Sequence, residues 1–323
     1  MIRSLTLLAA AVLVASANAK PSSYDPLSVG DEEVKSLAFD VTDKSRDRVI
    51  PIRAYLPENG AAAPLVIFSH GLGGSRDNNP YLGNHWAKRG YVVVFVQHPG
   101  SDESVWKGER PMNRMAAMKA AASAEAFADR VADIPAVIDA LESLGNQKGH
   151  ALKGRMDLGR IGMSGHSFGA VTTQAMAGQT FAGGRISYLE KRIGAAVMMS
   201  PSKPRLGDPG KAFGSITLPC LLLTGTRDDS PIGGGTPEDR LEVFPNLAKA
   251  PAWQLVFDGA THMDFGQRKG VQKDSRYHKA ILALTTAFWD AHLKGDKAAM
   301  EWLKGEGVKS ALAEGDIWQS NRR

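Results

Sequence analysis

Arg160-Ile161-Gly162-Met163-Ser164-Gly165-His166-Ser167-Phe168-Gly169-Ala170-Val171 is the stretch that decides the fold. An apolar, strand-like entry runs into a G-x-S-x-G turn, and small residues suited to a helix leave it. A serine in such a turn sits on a sharp strand-to-helix bend, where a Cβ at either flanking glycine would collide with the neighbouring chain. The bend would push Ser167 Oγ out at the carboxyl edge of a sheet and set the Phe168 N–H at the start of a helix. Nucleophile and oxyanion donor then arrive together, which makes this turn a candidate nucleophile elbow. Read without that chemistry, it is a glycine-lined turn with a capping serine, so the remaining parts have to be sought on either side.

Upstream, Ser69-His70-Gly71-Leu72-Gly73-Gly74-Ser75 follows an apolar run. An oxyanion needs a second N–H donor, glycines let a backbone approach closely, and Leu72 N–H is the candidate. His70 reads as a brace for this loop, and the loop lacks the lysine and spacing of a phosphate-binding P-loop. Downstream, Thr224-Gly225-Thr226-Arg227-Asp228-Asp229 closes an apolar strand with two carboxylates. Asp228 is favoured as the acid by its distance past Gly225, leaving Asp229 as a solvated or capping carboxylate. Asp208 is a weaker third candidate. Last in order, Phe257-Asp258-Gly259-Ala260-Thr261-His262 puts His262 in a loop just past a strand. Its Nε2 would take the Ser167 proton while Asp228 holds the tautomer through Nδ1–H. Serine, then aspartate, then histidine is the order that a nucleophile on a strand-turn-helix bend calls for. The other histidines have no such context, and no paired-ligand spacing appears, so no catalytic metal is expected.

Around these loops, Pro64 to Ser69, Tyr91 to Val96, Ile161 to Ser164, Ala195 to Met199, Cys220 to Thr224 and Gln254 to Phe257 are continuous apolar runs. Such runs mark strands buried on both faces, hence a parallel sheet covered by helices. Val34 to Val41 and Arg48 to Leu56 alternate instead, as an antiparallel opening pair does. The expected fold class is α/β, a doubly wound, mostly parallel sheet of about eight strands with helices on both faces. One catalytic domain would fill residues 31–293, after an extension over 20–30 and before a partly helical appendage over 294–323 that has no evident role.

Between Gln97 and Ala124 lie Trp106, Met112, Met115 and Met118, leading into an alanine-rich helix that Pro135 should bend or split. The methionine spacing puts them near one helical face, either packed into the core or forming a flexible apolar wall. Trp106, Met112 and Met115 are the candidate pocket residues. Cys220, the single cysteine, lies in a buried strand pattern, so no intramolecular disulfide can form and a core role is expected.

The chain has 323 residues, 43% hydrophobic and 23% charged, with a formal net charge of +5. That is ordinary for a globular protein, and no run of lysine and arginine interleaved with aromatics suggests nucleic acid. Met1-Ile2-Arg3, the apolar Leu5 to Val14 and Ala17-Asn18-Ala19 read as a signal peptide over 1–19. The apolar run is too short for a stable membrane span, and export to a periplasm or the outside is expected.

With these residues in hand, the chain resembles the α/β-hydrolase superfamily across nearly all of its mature length. His70-Gly71-Leu72-Gly73-Gly74, Gln97-His98-Pro99-Gly100, Gly165-His166-Ser167-Phe168-Gly169 and Thr224-Gly225-Thr226-Arg227-Asp228-Asp229 are similar to one group within it. These are the bacterial proteins called predicted dienelactone hydrolases, related to secreted platelet-activating-factor acetylhydrolases. True dienelactone hydrolases carry a cysteine nucleophile, and Ser167 stands here instead. The resemblance therefore implies a carboxylic ester hydrolase working through an acyl-enzyme without a cofactor. The partner would be a small-molecule ester or lipid of short to medium acyl chain, since Pro201 to Leu218 is too short for a large lid. A serine peptidase or amidase uses the same triad, and a binding protein on a disabled hydrolase scaffold is the non-enzymatic alternative.

Overall fold

A computed structural model of the chain describes residues 24–268 and 275–321. The expected signal peptide lies outside them. The strands are β1 (Lys35–Asp43), β2 (Arg48–Leu56), β3 (Ala63–Ser69), β4 (Val92–Val96), β5 (Met156–His166), a small hairpin β6 (Thr180–Phe181) and β7 (Ile186–Ser187), then β8 (Ile193–Met199), β9 (Cys220–Arg227), β10 (Ala252–Thr261) and β11 (Ile317–Ser320). The helices are α1 (Pro80–Lys88), α2 (Pro111–Ala121), α3 (Ala124–Asn146), α4 (Phe168–Met176), α5 (Pro209–Phe213), α6 (Pro237–Leu241), α7 (Arg276–Leu293) and α8 (Lys297–Lys304).

Nine strands form one sheet in the order β1-β2-β4-β3-β5-β8-β9-β10-β11. The strands β4, β3, β5, β8, β9 and β10 run parallel, and β1, β2 and β11 pair antiparallel at the two ends. The fold is thus the expected α/β class, a mostly parallel sheet between two helical layers. Alternation along single strands shows why the parallel runs are apolar throughout. Val66 and Phe68 of β3 pack with α1 and α7, whereas Leu65 and Ile67 pack with α3. Each strand needs apolar residues at both parities, which erases the two-residue period. Cys220 opens β9 fully buried, and burial pushes its thiol pKa up, in keeping with a core role.

Three local expectations change. Helix α3 runs unbroken through Pro135. The break falls earlier, at Ser123, whose Oγ accepts the Ala126 N–H at 3.0 Å and caps α3. Core packing of the methionines fails, because α2 lies outside the two packed layers and buries no residue. Met112 is 83% and Met115 49% exposed. The tail is more than a helical appendage: Trp302 and Leu303 of α8 join the main core, and β11 adds the ninth strand by pairing with β10.

Candidate active site

The carboxyl ends of β3, β5, β9 and β10 bring the four loops together. Ser167 leaves β5 at φ 57°, ψ −116°, a conformation L-residues adopt only under constraint. The constraint is backbone packing. A Cβ at Gly165 would lie 2.2 Å from the Gly169 carbonyl oxygen, and one at Gly169 would lie 1.9 Å from that of Ser69. The two glycines therefore let α4 close on β5 and on β3. Ser167 N–H donates to the Met199 carbonyl at 2.9 Å, which ties the bend to β8.

His262 opens a short 3-10 turn, His262–Phe265, capped by Thr261 and Asp264. Its Nε2 lies 2.8 Å from Ser167 Oγ, and its Nδ1 lies 2.7 Å from Asp228 Oδ1. Asp228 follows β9 and is fully buried, while Asp229 is exposed. Thr224 Oγ1 donates to the second Asp228 oxygen at 2.9 Å, and Arg240 Nε stands 3.7 Å from the first. Burial alone would raise the Asp228 pKa, but the His262 hydrogen bond and the Arg240 charge outweigh it and hold the carboxyl below its ordinary value. Asp208, the third candidate, accepts the Lys211 N–H and caps α5.

The loop after β3 folds back on itself, Gly74 N–H to the Gly71 carbonyl at 3.0 Å, with Gly73 at φ 69°. A Cβ at Gly71 would lie 3.4 Å from Ser167 Cβ, so this loop flanks the serine. Among the described residues, neither Leu72 N–H nor Phe168 N–H has a hydrogen-bond acceptor. His70 braces the loop as expected: Nδ1–H donates to the Gly71 carbonyl at 2.6 Å, and Nε2 accepts the His98 N–H at 3.0 Å. Burial, with the nearby Arg130 charge, keeps His70 neutral and its pKa well below the ordinary value.

Of the candidate pocket residues, Trp106 reaches the site. Its Nε1–H donates to the Gly73 carbonyl at 2.7 Å, and Met118 packs beside it on Gly73. Met112 and Met115 stand out on the exposed helix.

Several residues have partners that the sequence did not reveal. His166 Nε2–H donates to the His262 carbonyl at 3.0 Å, and burial, with the adjacent His262, takes its own pKa down to about 3. Behind the loop lies a second, fully buried Ser-His-Asp array. His98 Nε2 accepts from Ser69 Oγ at 2.9 Å, and its Nδ1–H donates to Asp133 at 2.9 Å. No substrate reaches Ser69, which is 0% exposed, so this array is a structural network. The one signal available was a pair of charges, Arg130 and Asp133, within the buried stripe Val131, Ile134, Val137, Ile138 of α3.

Sheet order, bend and flanking loops together define an α/β-hydrolase fold. A family model described as platelet-activating factor acetylhydrolase, isoform II, matches residues 49–113, from β2 through the Gly71–Gly74 loop to the start of α2. The chain is also similar to the Bacillus subtilis (strain 168) protein named "Putative esterase YitV", 32% identical over 142 residues. That match covers 44% of this chain and 46% of the relative, so the chain spans about half the relative's length.

Proposed function

We propose that this protein is an exported serine hydrolase that cleaves carboxylic esters of short to medium acyl chains, on an acetylated lipid or a polyester. The observation that carries the reading is the unbroken chain from Ser167 Oγ through His262 to buried Asp228, beside two N–H groups that have no acceptor among the described residues. Ser167 Oγ attacks the ester carbonyl carbon as His262 Nε2 takes its proton. The carbonyl electron pair moves onto oxygen, where Leu72 and Phe168 N–H stabilise it. Collapse expels the alcohol with the proton from His262 and leaves an acyl-Ser167. Water then attacks, gives its proton to His262, and the acid leaves as Ser167 recovers its hydrogen. The net change is ester plus water to acid plus alcohol, with no cofactor.

The similarity to an esterase-named protein and to the acetylhydrolase family model favours esters over amides. Between β8 and β9 the described chain forms the five-residue α5 and no large helical cover, which favours shorter chains. Among the described residues no helix is long and apolar enough to cross a membrane. The test is hydrolysis of p-nitrophenyl acetate, butyrate, octanoate and palmitate by the chain from Lys20, beside Ser167→Ala. Turnover should be greatest on acetate or butyrate and vanish in the variant. Silence on all four esters, or equal turnover by Ser167→Ala, rejects the reading.

A further inference from the structure

The two N–H groups proposed to hold the oxyanion belong to different segments. Leu72 rides on the loop after β3, and Phe168 opens α4. Both must point at one oxygen, and an error near 1 Å costs about 10²-fold in rate. The backbone contact of Gly169 with Ser69 stops the segments from approaching further, but contact alone does not stop them from separating. Directional bonds can.

We infer that Arg130 is a positioning residue that clamps these two segments into a single oxyanion site. Its guanidinium touches both. Nη2–H donates to Ser69 Oγ at 3.0 Å and to the His70 carbonyl, two positions before Leu72. Nε–H donates to Thr172 Oγ1 at 3.1 Å, one turn into α4, and that hydroxyl in turn donates to the Phe168 carbonyl at 2.9 Å. The Phe168 ring lies against the guanidinium, 4.5 Å from Cζ to centroid. Nη1–H holds Ser101 Oγ at 2.9 Å, and the Ser101 carbonyl accepts the Gly73 N–H at 2.9 Å. One planar group thus fixes both walls of the site without touching substrate.

The position argues for this role over simple packing. Arg130 is 0% exposed on a helix stripe otherwise filled by aliphatic side chains. Burial works against its charge and takes its pKa down to about 9, and Asp133 and Asp102 offset only part of that cost. A leucine would fill the stripe with no such penalty, so the fan of donors is what distinguishes the arginine. Lysine cannot replace it, because an ammonium is a point donor without the planar fork.

The inference rests on the esterase reading of Ser167, and the test separates the two. Wild type, Arg130→Lys and Thr172→Val, which removes one Arg130 bond together with the hydroxyl's own bond to the Phe168 carbonyl, are compared after titration of reactive Ser167 with a fluorophosphonate. Each is assayed on p-nitrophenyl butyrate and with a trifluoromethyl ketone that forms a tetrahedral oxyanion on the serine. Per titrated site, Arg130→Lys should lose about 10²-fold in kcat with KM within about threefold, and Thr172→Val about tenfold. Inhibition by the ketone should weaken in step with kcat, since it samples the same oxyanion. Should Arg130→Lys not fold, Thr172→Val decides by the same criteria. An active wild type whose variants keep kcat and ketone affinity per titrated site overturns the clamp and leaves the esterase standing. A wild type that neither turns over esters nor reacts with fluorophosphonate overturns both.

Discussion

Asp228 and Asp229 are neighbours in sequence with opposite fates. One is buried against His262 and Thr224, and the other is in solvent. Asp228→Asn keeps the shape but turns an acceptor into an amide that cannot hold the Nδ1–H tautomer of His262. We expect kcat on p-nitrophenyl butyrate to fall by about 10⁴-fold, with Asp229→Asn within about twofold of wild type. Comparable losses in the two variants would reverse the assignment of the acid. The triad candidates were legible because each lies in a loop just past its own apolar run, so chain order alone orders them. Arg130 was not, because helical periodicity reports which face is buried and says nothing of what a buried polar group meets across it. His166 was hidden differently: its partner is a backbone carbonyl, and no residue type marks that.

At the scale of elements, strands buried on both faces were legible as unbroken apolar runs, and the alternating pair β1 and β2 by its period. β11 was not, being four residues with three of them exposed, where burial leaves almost no pattern. Pro135 misleads for a related reason. Loss of one backbone donor is a local cost, whereas the buried stripe Ile134, Val137, Ile138 and Leu141 spans the residues around it and keeps α3 whole. The true boundary is Ser123, with its capping hydroxyl. Ser123→Ala should lower unfolding free energy in urea by about 1 kcal/mol and leave kcat unchanged. No loss of stability would mean that the cap is not what starts α3.

For the whole molecule, buried histidines make the fold acid-sensitive, and three of them line the carboxyl edge of the sheet. His70, His98 and His166 are buried there and held neutral. Burial, with the Arg130 charge, takes His98 down to about 4 and His70 well below its ordinary value, and burial takes His166 to about 3. Unfolding returns each to a pKa near 6.5, so between the folded and unfolded values the unfolded chain binds more protons. Stability is then full above pH 6.5 and falls as pH drops, each histidine contributing up to about 1.4 kcal/mol per pH unit. The melting temperature should decline steadily from pH 7 to pH 5. A flat profile over that range would show that these rings are not held neutral by the fold.

Helix α2 buries none of its eleven residues, yet Met118 at its far end rests on the loop beside Ser167. Elsewhere around the serine, strand, helix and loop interlock through backbone at glycine, where any added carbon collides. Inheritance would therefore act on two very different materials a few residues apart. The reacting groups sit in a part that tolerates almost no change. On the proposed reading, the wall that an incoming molecule would meet includes a part whose side chains can be exchanged at little cost to the fold. Drift, selection or a laboratory library working on α2 could alter which molecules this scaffold accepts while leaving its chemistry untouched.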